Sequence, residues 1–278
     1  MTLSINKSVH HTPVTMFERI KHAMTQAMTQ APSSEPNPRR VQRVRLELKR
    51  RTVQVLRTAT LSPHLRSITF GGESLADFAS PSFDDHVKLL LDAGDGSEPV
   101  RRDYTPRHFD NARQELTIEF ALHGDGPAAA WAAQAKPGQQ VGIGGPRGSF
   151  IIPLDYDWHL LVGDDTALPA IARRLEELPA STRAIVIAQA TDLADQRPLH
   201  SAAALDFTWV TSAQGLVDAV RALKLPAGEG YAWCAAEAHT SAELRRILVD
   251  EKQHSRHAIR AAAYWKRGAV AHHENLES

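Results

Sequence analysis

From residue 52 to about 152, hydrophobic residues return at every second position. Beyond Pro153 they gather instead into short apolar runs followed by stretches of helical spacing. The clearest alternation is at 115–122, where Leu116, Ile118, Phe120 and Leu122 are interleaved with Glu115, Thr117, Glu119 and Ala121. A period of two sends successive side chains to opposite faces, which predicts a strand with one buried side. The same pattern predicts strands at 52–60, at 65–70 before Gly71-Gly72, at 86–92 with Val87, Leu89 and Leu91 inward, and at 140–144 after the Pro137-Gly138 turn. Short strands punctuated by turns predict a small antiparallel barrel.

After Pro153 the chain alternates strand and helix. A strand at 159–162 runs into Gly163-Asp164-Asp165-Thr166, and a helix follows with Leu168, Ile171, Ala172, Leu175 and Leu178 on one face. Thr166 is the expected N-cap. Strands at 183–190, 207–210 and 231–234 and helices at 215–223 and 241–253 complete the pattern, which requires a parallel sheet with right-handed crossovers. The division is therefore a mobile extension over 1–40, a barrel over 41–154, an α/β domain over 155–267 and a tail over 268–278. The extension ends in a linker, Ala31-Pro32-Ser33-Ser34-Glu35-Pro36-Asn37-Pro38, after a short helix around 14–28.

Charge narrows the function. The 278 residues carry a formal net charge of zero, so no global field draws the chain to nucleic acid or to a membrane surface. An anion site has to come from a local cluster. The basic run over 39–51 reads as a solvated face. One cysteine, Cys234, excludes an internal disulfide framework and reads as a core thiol. There is no apolar run of membrane-spanning length and no secretory layout, so the cytoplasm is expected, with a monomer as the default state. His10-His11 and His272-His273 read as solvated pairs, and no HExxH spacing occurs.

The chemistry lies in a series of short motifs. Arg102-Asp103-Tyr104-Thr105-Pro106 resembles the Arg-x-Tyr-Thr/Ser signature of ferredoxin-reductase-type flavoenzymes. Around it, in order, stand Phe83-Asp84-Asp85-His86-Val87-Lys88-Leu89, His123-Gly124-Asp125-Gly126-Pro127-Ala128, Trp131-Ala132, Pro137-Gly138, Gly145-Pro146-Arg147-Gly148-Ser149 and Arg260-Ala261-Ala262-Ala263-Tyr264-Trp265. Together they resemble the siderophore-interacting protein family, in its NADPH-dependent ferric-chelate reductase and vibriobactin-utilisation branch, over roughly residues 41–267. The resemblance implies a six-stranded antiparallel FAD-binding barrel followed by a parallel-sheet NAD(P)H-binding domain.

It also implies site residues. Arg102 would pair with the FAD pyrophosphate, as a permanently charged bidentate donor can. Asp103, Tyr104, Thr105, Glu119 and His123 would line the flavin. Gly126, Pro127, Ala128, Ala129 and Trp131 would present a helix N-terminus to the phosphates. Gly163, Asp165, Thr166, Ala167, Ala235 and Glu237 would meet the nicotinamide donor, although no GxGxxG is present and Asp164 and Asp165 would repel phosphate unless they turn away. Ala236 stands where the family often has glycine. Lys88, Arg147 and Arg260 match the family's basic triad for the ferric siderophore. The implied reaction moves electrons from NADPH (NADH or reduced ferredoxin being alternatives) through FAD to chelated iron(III), with no side chain acting as acid, base or nucleophile. Two other readings stay open: a general flavin or ferredoxin reductase, and a non-redox siderophore-binding protein.

Overall fold

A computed structural model of the chain describes residues 40–92, 98–122, 126–269 and 274–276. The helix at 14–28, the linker, His123, His10-His11 and His272-His273 lie outside the described residues.

The five strands predicted for the alternating half are present, and four more join them. After β1 (Gln42–Arg45) come β2 (Arg50–Ser62), β3 (Leu65–Gly71), β4 (Val87–Leu91), β5 (Val100–Tyr104), β6 (His108–Asp110), β7 (Glu115–Ala121), helix α1 (Pro127–Gln134), β8 (Gln140–Gly144) and β9 (Gly148–Ile151). Seven of these form one sheet in the order β5-β4-β8-β2-β3-β7-β6, every pair antiparallel. Its two end strands are joined by only Thr105, Pro106 and Arg107, a span of at most roughly 14 Å. The sheet must therefore curl until its ends meet. Counted as a single strand broken at Pro106, which has no N–H to donate, β5 and β6 make the barrel six-stranded. The inward residues Val53, Val55, Ile68, Phe70, Val87, Leu89, Leu116, Ile118, Phe120 and Ile143 fill it.

The second half adds β10 (Trp158–Gly163), α2 (Leu168–Glu177), β11 (Arg183–Gln189), β12 (Ala204–Val210), α3 (Ala213–Ala222), β13 (Gly230–Glu237), α4 (Ala238–Arg246), β14 (Ile259–Trp265) and β15 (Glu274–Asn275). The sheet order is β12-β11-β10-β13-β14-β15, parallel except for the last pair. The order reverses between β10 and β13, and the crevice beyond their C-terminal ends is where open α/β sheets bind ligands. The helix expected at 241–253 is α4 followed by a π-helical turn, Ile247–Glu251.

The two halves are stitched by buried charge. Asp84, 5% exposed, reaches from the barrel side to the α/β sheet. Its Oδ1 accepts from Trp233 Nε1 at 2.9 Å and from the Tyr264 hydroxyl at 3.3 Å, and its Oδ2 pairs with Arg260. Phe83 packs edge-on to Trp233 at 5.4 Å between centroids. In the other direction α2 sends Arg173 to Ser80 Oγ and to the Ser80 and Pro106 carbonyls, and Arg174 to the carbonyls of Ile152 and Pro153. Burial lowers the Arg174 pKa to about 10.

Candidate functional site

The flavin side is built on β5. In the β4–β5 register, Lys88 stands opposite Asp103 and Leu89 opposite Arg102. Tyr104 lies 4.4 Å from the Phe120 ring, and Phe120 in turn lies 6.0 Å from Trp131 of α1. One inward phenylalanine thus holds β5 and α1 side by side. Burial raises the Tyr104 pKa, so its hydroxyl stays protonated. Thr105 is buried at the strand break.

Two groups beside this strand suit a pyrophosphate. The half-buried Arg102 guanidinium donates to the carbonyl of its neighbour Arg101 at 2.8 Å, which leaves its other N–H groups for an anion. Helix α1 begins at exposed Gly126 with Pro127 at its first position, and no side chain caps it. Among the described residues, a side chain at residue 126 would meet nothing within 4 Å. Uncapped amides, a fixed cation and an aromatic wall are the donor set a flavin dinucleotide needs, and these residues fit it.

Glu119 is 7% exposed and faces cations of both halves: Arg197 at 2.5 Å and Arg107 at 3.3 Å. Arg107 also pairs with Glu176 of α2. The residue expected beside the flavin is thus bound into a four-charge cluster on the domain seam.

At the β10–β13 crevice, the expected donor residues come together. Gly163 has to be glycine: a Cβ would lie 2.4 Å from the Ala167 Cβ and 2.8 Å from the Ala235 carbonyl. This close approach sets the turn Asp165–Ala167 against β13. Thr166 does not cap α2: the helix starts after Ala167 with no side-chain cap, and Asp164 caps the turn Asp165–Ala167 before it. Asp164 Oδ1 accepts from Thr166 N at 3.0 Å and from the Thr166 hydroxyl at 2.5 Å, while Oδ2 accepts from Glu237 N at 3.1 Å and Trp265 Nε1 at 2.8 Å. Its carboxylate therefore points inward and ties three strand ends together. Burial, with the neighbouring Asp165 charge, pushes its pKa up to about 6. Glu237 caps α4, accepting from His239 N at 2.7 Å and Thr240 N at 3.4 Å. Ala236 is buried where β13 and β14 shift register.

The three triad cations have different surroundings. Lys88 is exposed and donates to both Asp103 oxygens, at 2.7 and 3.0 Å. Arg147 is exposed, follows a cis Gly145-Pro146 bond, and makes no ion pair among the described residues. Arg260 is 5% exposed, pairs with Asp84 and stacks 3.9 Å above the Phe150 ring. One stretch of chain links all three. Lys88 pairs with Gly144, Arg147 lies three residues on, and Phe150 three beyond that. The sequence did not single out Asp84, Arg173, Arg174 or Phe150; their partners are distant in the chain, and spacing carries no trace of such contacts. The basic run at 39–51 is only partly a solvated face: Arg51 is buried, bonded to the Ser74 carbonyl and Asp77.

Comparison with known proteins agrees with this architecture. A profile described as siderophore-interacting protein matches residues 156–268, and one described as siderophore-interacting FAD-binding domain matches 54–100 and 92–150. The NADPH-dependent ferric-chelate reductase of Escherichia coli (strain K12) is 36% identical over 249 residues, covering 82% of this chain and 97% of that protein. The ferric vibriobactin reductase ViuB of Vibrio cholerae is 30% identical over 251 residues, covering 81% of this chain and 93% of the other. Among solved structures, a siderophore utilization protein from T. fusca aligns with a TM-score of 0.78 at 30% identity, over 84% of this chain and 98% of that one. A ferredoxin NADP+ reductase from Neisseria gonorrhoeae, at 13% identity and a TM-score of 0.51 over 73% of this chain and 91% of that one, shares the fold. With a barrel and an α/β sheet joined in this order, and a reductase 36% identical along most of its length, the chain belongs to the siderophore-interacting protein family.

Proposed function

We propose that this protein is an FAD-dependent ferric-siderophore reductase that takes electrons from NADPH, works as a monomer in the cytoplasm and releases iron(II). NADH and reduced ferredoxin are the alternative donors. The observation that carries the reading is the pairing of β4 with β5. It sets the Lys88 ammonium directly across from the strand whose Arg102 and Tyr104 suit a flavin dinucleotide.

In this reading Arg102 and the first amides of α1 grip the pyrophosphate, and Tyr104 supplies an aromatic wall. Gly163, Thr166, Ala167 and Ala235 border the crevice that receives the donor. Lys88 and Arg147 draw in the anionic chelate. Arg260, paired with Asp84, completes the triad by holding Phe150 in place through stacking. FAD, when bound, accepts two electrons as hydride and releases them one at a time, which is what ferric iron requires. No acid, base or nucleophile is demanded of the protein. Among the described residues no helix is long and apolar enough to cross a membrane, and no group of three or more His, Cys, Asp or Glu could hold a metal ion. In this reading iron arrives bound to its chelator.

The test is an anaerobic visible spectrum of the purified protein. A flavin absorbance that bleaches with NADPH and returns on adding a ferric siderophore supports the reading. A colourless protein, or a bleached flavin that the chelate leaves bleached, overturns it.

A further inference from the structure

The turn over 145–147 joins β8 to β9 and ends in the exposed Arg147. The connection over 46–49, between β1 and β2, runs against it and holds its backbone. Gly145 N donates to the Lys49 carbonyl at 3.0 Å, and Leu46 N donates to the Arg147 carbonyl at 3.0 Å. The Gly145 carbonyl accepts from Arg51 Nη1 at 3.3 Å. Pro146 has no N–H to offer. A cleft of about 120 Å³ opens beside Gly145 and Pro146, walled by Leu46, Lys49, Asp77 and Ala79. On that side packing does not fix the turn, and the hydrogen bonds have to.

Arg51 occupies a place where the pattern of β2 asks for an apolar residue. The strand buries every second side chain, and Arg51 shares its inward face with Val53 and Val55. A buried guanidinium needs fixed acceptors. Its Nε donates to the Ser74 carbonyl at 2.9 Å and its Nη2 to Asp77 Oδ1 at 3.1 Å, and the third arm is the bond to Gly145. Lys49 Nζ reaches the same Asp77 at 2.5 Å and Glu47 at 3.3 Å. Two carboxylates thus balance the two cations, so what Arg51 brings to the turn is rigidity, through a planar fork whose other two arms are anchored. We propose that Arg51 is a positioning residue for the ferric chelate, holding the turn so that Arg147 meets the incoming complex already in place. A mobile turn would have to be ordered on binding, at a cost in affinity. This rests on the reductase reading above, in which Arg147 draws in the chelate.

The experiment uses the flavin-loaded full-length protein and an anionic tris-catecholate complex, with redox-inert gallium(III) for binding by calorimetry and iron(III) for turnover. Arg51→Lys keeps the charge but cannot span three acceptors. It should weaken the gallium complex about three- to tenfold and raise KM for the iron complex, with kcat and the KM for NADPH within about twofold of wild type. In an Arg147→Ala background the same change should shift binding less than about 1.5-fold, because the cation being positioned is gone. Asp77 is exposed, so Asp77→Asn tests the fork with less risk to folding. It should weaken binding about two- to threefold, again only where Arg147 is present. Shifts of equal size in both backgrounds, or no shift from either variant, would overturn the positioning role alone. A wild-type protein that failed to reduce the iron complex would remove the reductase reading and this inference together.

Discussion

Arg260 and Lys88 each meet a carboxylate, and the two pairs sit in different media. Arg260–Asp84 is buried on the domain seam, at 5% exposure for both residues, with Phe150, Trp233 and Tyr264 around it. Lys88–Asp103 lies at the barrel surface, the lysine side chain half in water. In the first, desolvation makes each ion depend on the other. In the second, water competes for both partners and the pair opens at little cost. The two cations answer to one expectation from sequence but suit different tasks. Lys88 is able to leave Asp103 for an arriving anion, whereas Arg260 holds the seam and the aromatic floor in place.

The sharpest way to break this contrast is Asp84→Ala, which strands the Arg260 charge. It should cost about 3–5 kcal/mol in urea unfolding; a loss below about 1 kcal/mol would mean that the seam is open to water. A slightly smaller effect is expected one residue away. Burial pushes the Asp85 carboxyl up to about 6, from an ordinary value near 4. Between those values the folded state binds more protons than the unfolded state. Asp85 therefore makes stability fall as pH rises from about 4 to 6, by up to roughly 3 kcal/mol. Asp85→Asn should flatten that fall relative to wild type in a pH series of unfolding curves. His159 changes stability in the opposite direction. Burial holds it neutral, with a pKa of about 3, so its contribution rises with pH over the same range. Only the difference between variant and wild type isolates Asp85.

Next in size, Arg102→Ala should weaken FAD by about ten- to a hundredfold, the worth of roughly 1.5–3 kcal/mol of charge-assisted hydrogen bonding, read as flavin released on dilution. Smallest in stability is Lys88→Met, which should move the unfolding midpoint by less than about 1 kcal/mol. It should nonetheless raise KM for anionic ferric chelates severalfold, more at low salt than at high. A large stability loss here would erase the distinction between the two pairs.

The same contrast explains what was legible beforehand. Strands with one wet face announce themselves: β7 ends within one residue of its alternation, and β8 matches its predicted range. β14 went unread because Arg260, Ala261, Ala262 and Ala263 are all buried, so the strand has no polar face to alternate. β1 and β6 are too short and polar to carry a period. Buried arginines mislead most, since composition assigns them to the surface. Arg51, Arg173, Arg174 and Arg260 are all under 9% exposed, and each is accommodated by carbonyls or carboxylates that approach from far along the chain. At the donor crevice, the pattern Gly163-Asp164-Asp165-Thr166 correctly marked a strand-to-turn junction. Which carboxylate turned inward was set by the Trp265 indole and the Glu237 amide, both remote in sequence.

The arginine pair of α2 has a consequence for how the protein operates. Because Arg173 and Arg174 reach into the barrel while Asp84 reaches back, the seam is pinned at points facing opposite ways, and a hinge there would have to unseat every pin at once. Opening and closing of the two halves is thus a poor route to admitting reactants. The rims of the crevice and of the basic face are left to do the sorting, and incoming molecules must match a slot whose width is already set.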